Sequence, residues 1–356
     1  MDFRLNEFQE LLKGSAEDFL SREAPPSRIR EIEAAGEPNQ QLWNSMVDLG
    51  WTGLPIEEQY GGQGGTLMDT VVLIKEMCRH ALLSPYENAM ISALTIQRFG
   101  DEALKQALLP RIAQGAVATP ANAETGNVNA PVQARVSGGK LDGKKLFVEY
   151  ARSADTHLVT AVQDGTPGIA LVPRDQAGVT FEDLKSIGGT PQAAVTYSGA
   201  TADAFIAGQE AVDYLRRLGA AVAAFECYAN AQQSLDMIVD YAQMRVQFGR
   251  PIGAFDAVQQ RVADMAIQVE ASRFLTQELL WTIQHDVVDP GQVATVKAVT
   301  SKAVTDVTMW SHILHGGIGY MKEYDLQFYT RRGKEAALRW GDVRESMNAV
   351  ADAVLV

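Results

Sequence analysis

The chain has 356 residues, of which 46% are hydrophobic and 21% are charged, and its formal net charge at pH 7 is −13. A chain of this length and composition exceeds one typical domain and can bury a large hydrophobic core. The acidic balance argues against nucleic acid and anionic membrane surfaces as partners, and no apolar run approaches the roughly eighteen residues of a membrane span.

The N-terminus lacks the apolar core of a signal peptide. The two cysteines lie in helical apolar patterns, which favours buried thiols over a disulfide. The five histidines show no metal-ligand spacing. We therefore expect a cytoplasmic protein without a metal ion.

The spacing of apolar residues changes twice along the chain, and the changes predict an α+β fold in three parts. Helical spacing predicts an N-terminal helical domain over residues 1–115, interrupted by a glycine-rich structural loop at 50–65. Short β-rich runs then predict an antiparallel β-barrel or sandwich domain over residues 116–208. The predicted strands cover residues 132–136, 144–148, 158–162, 169–172, 179–181 and 194–197. Long helical patterns return over residues 209–356 and predict a C-terminal four-helix bundle.

The segment 245–265 joins two of these predicted C-terminal helices. Apolar residues at helical spacing lead up to Arg245, Gly249 and Pro251 break the helix, and a second amphipathic helix follows. The corner therefore presents Arg245 and Phe248 between two helices. A guanidinium group offers bidentate donors to phosphate and an aromatic ring can cover a heterocycle, which favours a dinucleotide site. The alternative is an arginine that only complements a helix dipole and a phenylalanine that only packs.

The same segment reads Arg-x-x-Phe-Gly-x-Pro-Ile-x-x-Phe-x-x-Val-Gln-x-x-x-Ala-Asp-Met and resembles the signature of the flavin-dependent acyl-CoA dehydrogenases. The glycine-rich loop at 50–65 and the order helical, β, helical resemble the same family. The resemblance implies an acyl-CoA substrate, an electron-transfer flavoprotein as electron acceptor, and FAD shared across a subunit interface. It assigns Arg245, Gln247, Phe248, Gly316 and Gly317 to binding of the neighbouring subunit's FAD.

The family reaction is α,β-dehydrogenation of an acyl-CoA thioester, and the resemblance implies a glutamate base that removes the α proton. Counting without a gap from the Gly316-Gly317 turn places the position of this glutamate at Trp340. The alternative base position of some relatives falls on Gly219 and Ala220. An indole cannot abstract a proton, so we expect no catalytic residue at the family positions.

Two carboxylates remain as fallback bases. Asp342 lies two residues after Trp340, where helix capping is the competing interpretation. Glu149 lies in the strand Phe147-Val148-Glu149-Tyr150, where the family has Trp-Ile-Thr/Ser-Asn against the flavin of its own subunit. The family's second flavin-binding loop cannot be recognised in residues 118–127.

The residues that would serve a neighbour's FAD are therefore largely kept, whereas those that would serve the chain's own site are replaced. The resulting hypothesis is a non-catalytic small subunit of a heteromeric acyl-CoA dehydrogenase, assembled as a two-by-two heterotetramer with one FAD per heterodimer. It resembles base-lacking chains that act in bacterial degradation of bulky acyl-CoA, such as steroid side chains. The alternatives are a homomeric FAD enzyme with Asp342 or Glu149 as base, and a structural helical protein without flavin.

Overall fold

Helices, then strands, then helices follow one another along the chain, as the change in sequence spacing predicts. The structure is a computed structural model that describes residues 3–124 and 130–355. The helices are α1 (Glu7–Glu23), α2 (Pro26–Ala35), α3 (Gln40–Asp48), α4 (Leu67–Arg79), α5 (Tyr86–Phe99), α6 (Glu102–Ala113), α7 (Gln209–Met244), α8 (Asp256–Gln284), α9 (Pro290–His315), α10 (Leu326–Leu338) and α11 (Val343–Leu355). The strands are β1 (Ala118–Ala121), β2 (Arg135–Ser137), β3 (Lys140–Glu149), β4 (Thr156–Gln163), β5 (Thr166–Pro173), β6 (Val179–Leu184), β7 (Gln192–Thr201), β8 (Ala204–Ala207), β9 (Val246–Gln247) and β10 (Arg250–Pro251). The predicted α+β class is confirmed.

The strands β1 to β8 form one sheet in the order β6-β7-β3-β2-β4-β5-β8, with β1 paired to β4. The sheet is not antiparallel throughout, because β1 and β2 each pair with β4 in parallel. Sequence spacing also misses β1, which is buried at every position and contains Pro120. Proline disfavours a strand, so it is the pairing of β1 with β4 rather than local propensity that makes this segment extended.

The described residues fall into two compact units. One unit comprises the chain up to Pro26, Ile74–Leu82 and the chain from Ala220 onward. The other comprises Ser27–Leu73 and Leu83–Gly219, and therefore contains the eight-stranded sheet. Domain boundaries at residues 1–115, 116–208 and 209–356 stay a prediction.

The first unit is built around long helices. After the sheet come α7 with 36 residues, which belongs to this unit from Ala220 onward, α8 with 29 and α9 with 26, followed by the shorter α10 and α11. Helix α9 contacts α8, α10 and α11. Among the described residues, no helix is both long and apolar enough to cross a membrane.

The glycine-rich loop at 50–65 has the structural role that the sequence predicts. A Cβ atom added at Gly62 would meet the carbonyl oxygen of Ile56 at 2.0 Å, and one added at Gly65 would meet Leu54 Cδ1 at 2.7 Å. Glycine is required where backbone segments approach this closely. The loop therefore folds against itself.

Candidate functional site

The predicted corner after α7 is a β-hairpin rather than a simple helix break. Strands β9 and β10 pair antiparallel, with Gln247 opposite Arg250 and Val246 opposite Pro251. The two-residue connection, Phe248 and Gly249, has φ angles of +52° and +81°. Two positive φ angles are the pattern of a type I′ hairpin turn, whose twist matches that of the paired strands.

Phe248 stands at the tip of this hairpin in an unfavourable state. Phe248 is 92% exposed, and its φ of +52° is an outlier for a bulky residue. A left-handed conformation costs a non-glycine residue about 1–2 kcal/mol, and Phe248 recovers little of this by burial. Strain of this kind concentrates at functional sites.

The hairpin register places three polar side chains on one face. Residues opposite each other in an antiparallel pair share a face, so Gln247 and Arg250 lie together. The amide of Ile252 donates to the carbonyl of Arg245 at 2.8 Å, which extends the pairing by one step. Because side chains alternate along a strand, Arg245 joins Gln247 and Arg250 on that face.

The two arginines of this face are exposed and lack an acceptor within the described residues. The Arg250 guanidinium lies over the ring of Phe255, 4.2 Å from its centroid. The Phe255 ring meets the Phe248 ring edge-on, with centroids 6.3 Å apart. Two unpaired cations and a pair of rings thus occupy one small surface, which suits an anionic ligand with a flat group.

The turn at Gly316-Gly317 lies at the same end of this unit. The ring of His315, the residue before Gly316, stacks on Tyr241 at a centroid distance of 4.6 Å. Tyr241 lies one helical turn before Arg245, whose amide donates to its carbonyl at 2.9 Å. Both glycines are exposed, and a Cβ atom at either would meet nothing within 4 Å. The structure therefore brings all five predicted cofactor-binding residues to one region.

The position predicted for the catalytic glutamate lies in a strained turn between α10 and α11. Trp340 is partly exposed with a φ of +57°, and Gly341 follows with a φ of +108°. The Asp342 carboxylate accepts from the amide of Glu345 at 2.8 Å and so caps α11. The fallback base is therefore engaged by a helix end.

Charged groups inside the first unit hold the end of α10 that leads into this turn. Arg339, the residue before Trp340, forms an ion pair with Glu226 of α7, and their side chains are only 19% and 13% exposed. Lys297 of α9 is buried, and its Nζ donates to the carbonyls of Ala336 and Ala337 at 3.0 and 2.9 Å. These carbonyls belong to the last turn of α10, where a cation is favoured by the helix dipole.

Sequence inspection misses Lys297 because the carbonyls that it caps belong to another helix. Burial lowers its pKa to about 8. A lysine within an otherwise apolar helical stretch was the available signal. The C-terminal end of α10 is therefore held in place by contacts with both α7 and α9.

The strand that the resemblance places beside the flavin lies in the second unit. The sheet register shifts between Lys145 and Val148, and within this irregularity Phe147 has a φ of +54° and is 61% exposed. Glu149 is buried, and its carbonyl accepts from the Thr119 hydroxyl at 2.8 Å. An exposed aromatic ring thus remains at the position where the family has tryptophan, although the sequence analysis described the residues of this strand as replaced.

The candidate loop at 118–127 is described only as far as Glu124, and its remaining residues lie outside the described part. Lys145 is fully buried, and its Nζ donates to Glu124 Oε1 at 2.7 Å and to Thr160 Oγ1 at 2.9 Å. Burial lowers the pKa of Lys145 to about 8 despite this pairing. For Glu124, burial favours a higher pKa, but the hydrogen bonds from Lys145 and the Ala134 amide outweigh it and lower the pKa. The charges of Lys145 and Glu124 are therefore paired with each other.

Comparison with known proteins places the chain in a family. Residues 6–116 match the acyl-CoA dehydrogenase N-terminal domain, and residues 210–342 match the acyl-CoA dehydrogenase C-terminal domain. The chain belongs to the acyl-CoA dehydrogenase family. It is thus an oxidoreductase of that family, for which FAD is the typical cofactor.

Individual relatives cover nearly the whole chain. The probable acyl-CoA dehydrogenase YngJ of Bacillus subtilis (strain 168) is 28% identical over 359 residues, with 94% of each chain covered. The ChsE4-ChsE5 complex from Mycobacterium tuberculosis has a chain 26% identical with a TM-score of 0.93, covering 100% of this chain and 99% of that one. The Tcur3481-Tcur3483 steroid ACAD is 27% identical with a TM-score of 0.92, and 98% of each chain is covered.

Proposed function

We propose that this chain is the non-catalytic subunit of a heteromeric FAD-dependent acyl-CoA dehydrogenase and that it completes the FAD site of a catalytic partner. One contrast carries the proposal. Trp340 occupies the position expected for the glutamate base, whereas Arg245 and Phe248 stand exposed on the hairpin.

The lack of a positioned base supports the non-catalytic role. An α proton beside a thioester is a weak acid, so its removal requires a desolvated carboxylate held next to it. The Asp342 carboxylate caps α11, and the Glu226 carboxylate is paired with Arg339. Both carboxylates are therefore held by contacts within the fold and not positioned beside a substrate.

The hairpin residues fit the pyrophosphate end of FAD. Arg245 and Gln247 supply donors on one face, and Gly316 and Gly317 allow close approach because open space lies where a Cβ would be. The exposed Phe248 ring can cover part of the dinucleotide. FAD itself would accept the hydride; this chain would hold and orient its diphosphate.

The proposed partner is a second acyl-CoA dehydrogenase chain that carries the base, in a two-by-two heterotetramer. Similarity to the ChsE4-ChsE5 complex supports a heteromeric assembly, and similarity to the Tcur3481-Tcur3483 steroid ACAD supports a bulky acyl-CoA as substrate. An electron-transfer flavoprotein is the proposed electron acceptor, and the cytoplasm is the proposed compartment. Nucleic acid and membranes remain disfavoured partners because of the net charge of −13.

One observation favours a second candidate function, a homomeric FAD enzyme with Asp342 or Glu149 as displaced base. Phe147 is 61% exposed in a strained conformation, as an aromatic residue that contacts a ligand would be. A purely structural, flavin-free protein is disfavoured because stability alone does not explain the exposed and strained Phe248.

The visible absorption spectrum of the purified protein tests these candidates. The chain should be colourless when purified alone and yellow when co-purified with a catalytic acyl-CoA dehydrogenase chain from its native host. A yellow protein obtained from this chain alone would support the homomeric enzyme. A complex that stays colourless after incubation with FAD would contradict both flavin-dependent functions.

A further inference from the structure

We infer that Arg250 is a second diphosphate-binding residue and that it acts with Arg245 as a two-arginine clamp on FAD held in the partner's site. The inference rests on the proposed function and adds a residue that the resemblance does not assign. The residues concerned all lie in the hairpin Val246–Pro251 and at its two ends.

The register of the hairpin carries the first step. Arg250 lies directly across from Gln247, and the hydrogen bond from Ile252 to Arg245 continues the same ladder. Arg245 and Arg250 therefore lie on the same face as diagonal neighbours, two residue pairs apart along the ladder. Diagonal neighbours on one face bring long side chains within reach of a common ligand.

The local charge of the hairpin also suits a diphosphate. Residues 244–251 contain two arginines and no acidic residue, within a chain of net charge −13. The flanking acidic residues Asp240 and Asp256 belong to the helices on either side. Neither arginine has an ion-pair or hydrogen-bond acceptor for its side chain among the described residues. Two guanidinium groups without internal partners match the two negative charges of a diphosphate.

The contact with the ring of Phe255 orders the Arg250 side chain before a ligand binds. The guanidinium lies 4.2 Å from the centroid of Phe255, and that ring in turn meets Phe248 at 6.3 Å. A guanidinium that lies over a ring has five N–H donors, and those of Arg250 have no acceptor among the described residues. A donor that is already ordered loses less conformational entropy when a ligand binds.

The test compares four single variants of the heteromeric complex, purified through a tag on this chain, stripped of flavin and titrated with FAD. The variants are Arg250→Ala, Arg250→Lys, Arg245→Ala and Arg261→Ala. Arg261 is the matched control because it also lies over a ring, that of Trp310 at 3.7 Å, but is paired with Asp264 on α8. ADP and AMP serve as competitors, since only ADP carries a diphosphate.

Arg250→Ala should weaken FAD and ADP binding about tenfold to a hundredfold and AMP binding much less, as expected for loss of a charged hydrogen bond. Arg250→Lys should recover part of the loss, because it restores charge without the bidentate geometry. Arg261→Ala should bind FAD as the wild type does.

The outcomes separate this inference from the proposed function. Weaker binding for Arg245→Ala with normal binding for Arg250→Ala would overturn the clamp and leave the proposed function intact. Normal binding for both would overturn the clamp and the hairpin's role in the flavin site. Dissociation of the complex by both Arg250 variants, seen by size-exclusion chromatography, would assign Arg250 to subunit contact and also overturn the clamp.

Discussion

The hairpin after α7 and the turn after α10 use charged residues in opposite ways. On the hairpin, Arg245 and Arg250 are exposed and have no acceptor within the described residues. At the turn, Arg339 is paired with Glu226 and Lys297 is held by two backbone carbonyls, all with little exposure. The charges of the hairpin are exposed to solvent, whereas the charges at the turn are paired within the fold.

This difference predicts which property each region controls. Removing an exposed, unpaired charge hardly changes the free energy of unfolding, whereas breaking a buried pair leaves its partner uncompensated. Hairpin variants should therefore change ligand binding, and variants around the turn should change stability.

The largest expected effect concerns catalysis at the turn. This chain alone should oxidise acyl-CoA thioesters more slowly than a family member with its glutamate base by at least about 10²–10⁴-fold, the usual contribution of a general base. Trp340→Glu should not restore activity, because the strand at Phe147 still lacks the polar groups that the family places beside the flavin. Reduction of an artificial electron acceptor measures both rates. Robust turnover by either protein would mean that the turn still serves a catalytic site.

The ion pair at the turn should have the largest effect on stability. Glu226→Gln removes the carboxylate that is paired with the little-exposed guanidinium of Arg339 and should lower the free energy of unfolding by about 3 kcal/mol. Urea unfolding followed by circular dichroism measures this change. The double variant Glu226→Gln/Arg339→Met should recover much of the loss, since replacing both partners is far less costly. A loss below about 1 kcal/mol, as for an exposed pair, would show that the turn does not depend on this contact.

This pair also shows where prediction from sequence stops. The periods of apolar residues predicted the order of helical and β portions, because burial of one face repeats locally along the chain. Glu226 and Arg339 lie 113 positions apart, and no local pattern links them. The hairpin escaped prediction for a different reason: its strands have two residues each, and its turn uses Phe-Gly instead of the usual Asn-Gly. The helical corner predicted a dinucleotide site at Arg245 and Phe248, whereas Gln247, Gly316 and Gly317 were predicted through the family resemblance, and all five assignments stay predictions.

The pKa of Lys297 predicts a pH effect of intermediate size. Burial lowers this pKa from 10.5 to about 8, so between these values the unfolded chain holds the proton more tightly than the folded chain. The lysine's contribution to stability therefore rises with pH across that window, by about 2 kcal/mol from pH 7.5 to 9.5. Lys297→Met should lose this rise.

Urea midpoints of wild type and Lys297→Met at both pH values measure the difference. The comparison isolates Lys297, because Lys145, whose pKa is also lowered to about 8, is present in both proteins. An unchanged pH dependence in Lys297→Met would mean that the buried ammonium of Lys297 does not titrate between these pH values.

The smallest expected effect on stability is at the hairpin tip, where it should oppose function. Phe248→Asn creates the Asn-Gly pair that a type I′ turn favours, and asparagine adopts the left-handed conformation more readily than phenylalanine. Phe248 is 92% exposed, so little burial is lost. The free energy of unfolding should therefore rise by about 0.5–1 kcal/mol, measured by urea unfolding, while the complex retains less FAD because the ring is gone.

Phe147→Asn is the matched control, since Phe147 is also exposed, at 61%, and has a similar φ of +54°. Under the proposed function it should leave the flavin content of the complex unchanged, because the ring belongs to a site that this chain no longer completes. Flavin loss in Phe147→Asn but not in Phe248→Asn would reverse the roles of the two rings and favour the homomeric enzyme. If Phe248→Asn instead destabilised the fold, the ring would be a packing residue, and the contrast between the hairpin and the turn would fail at its most exposed position.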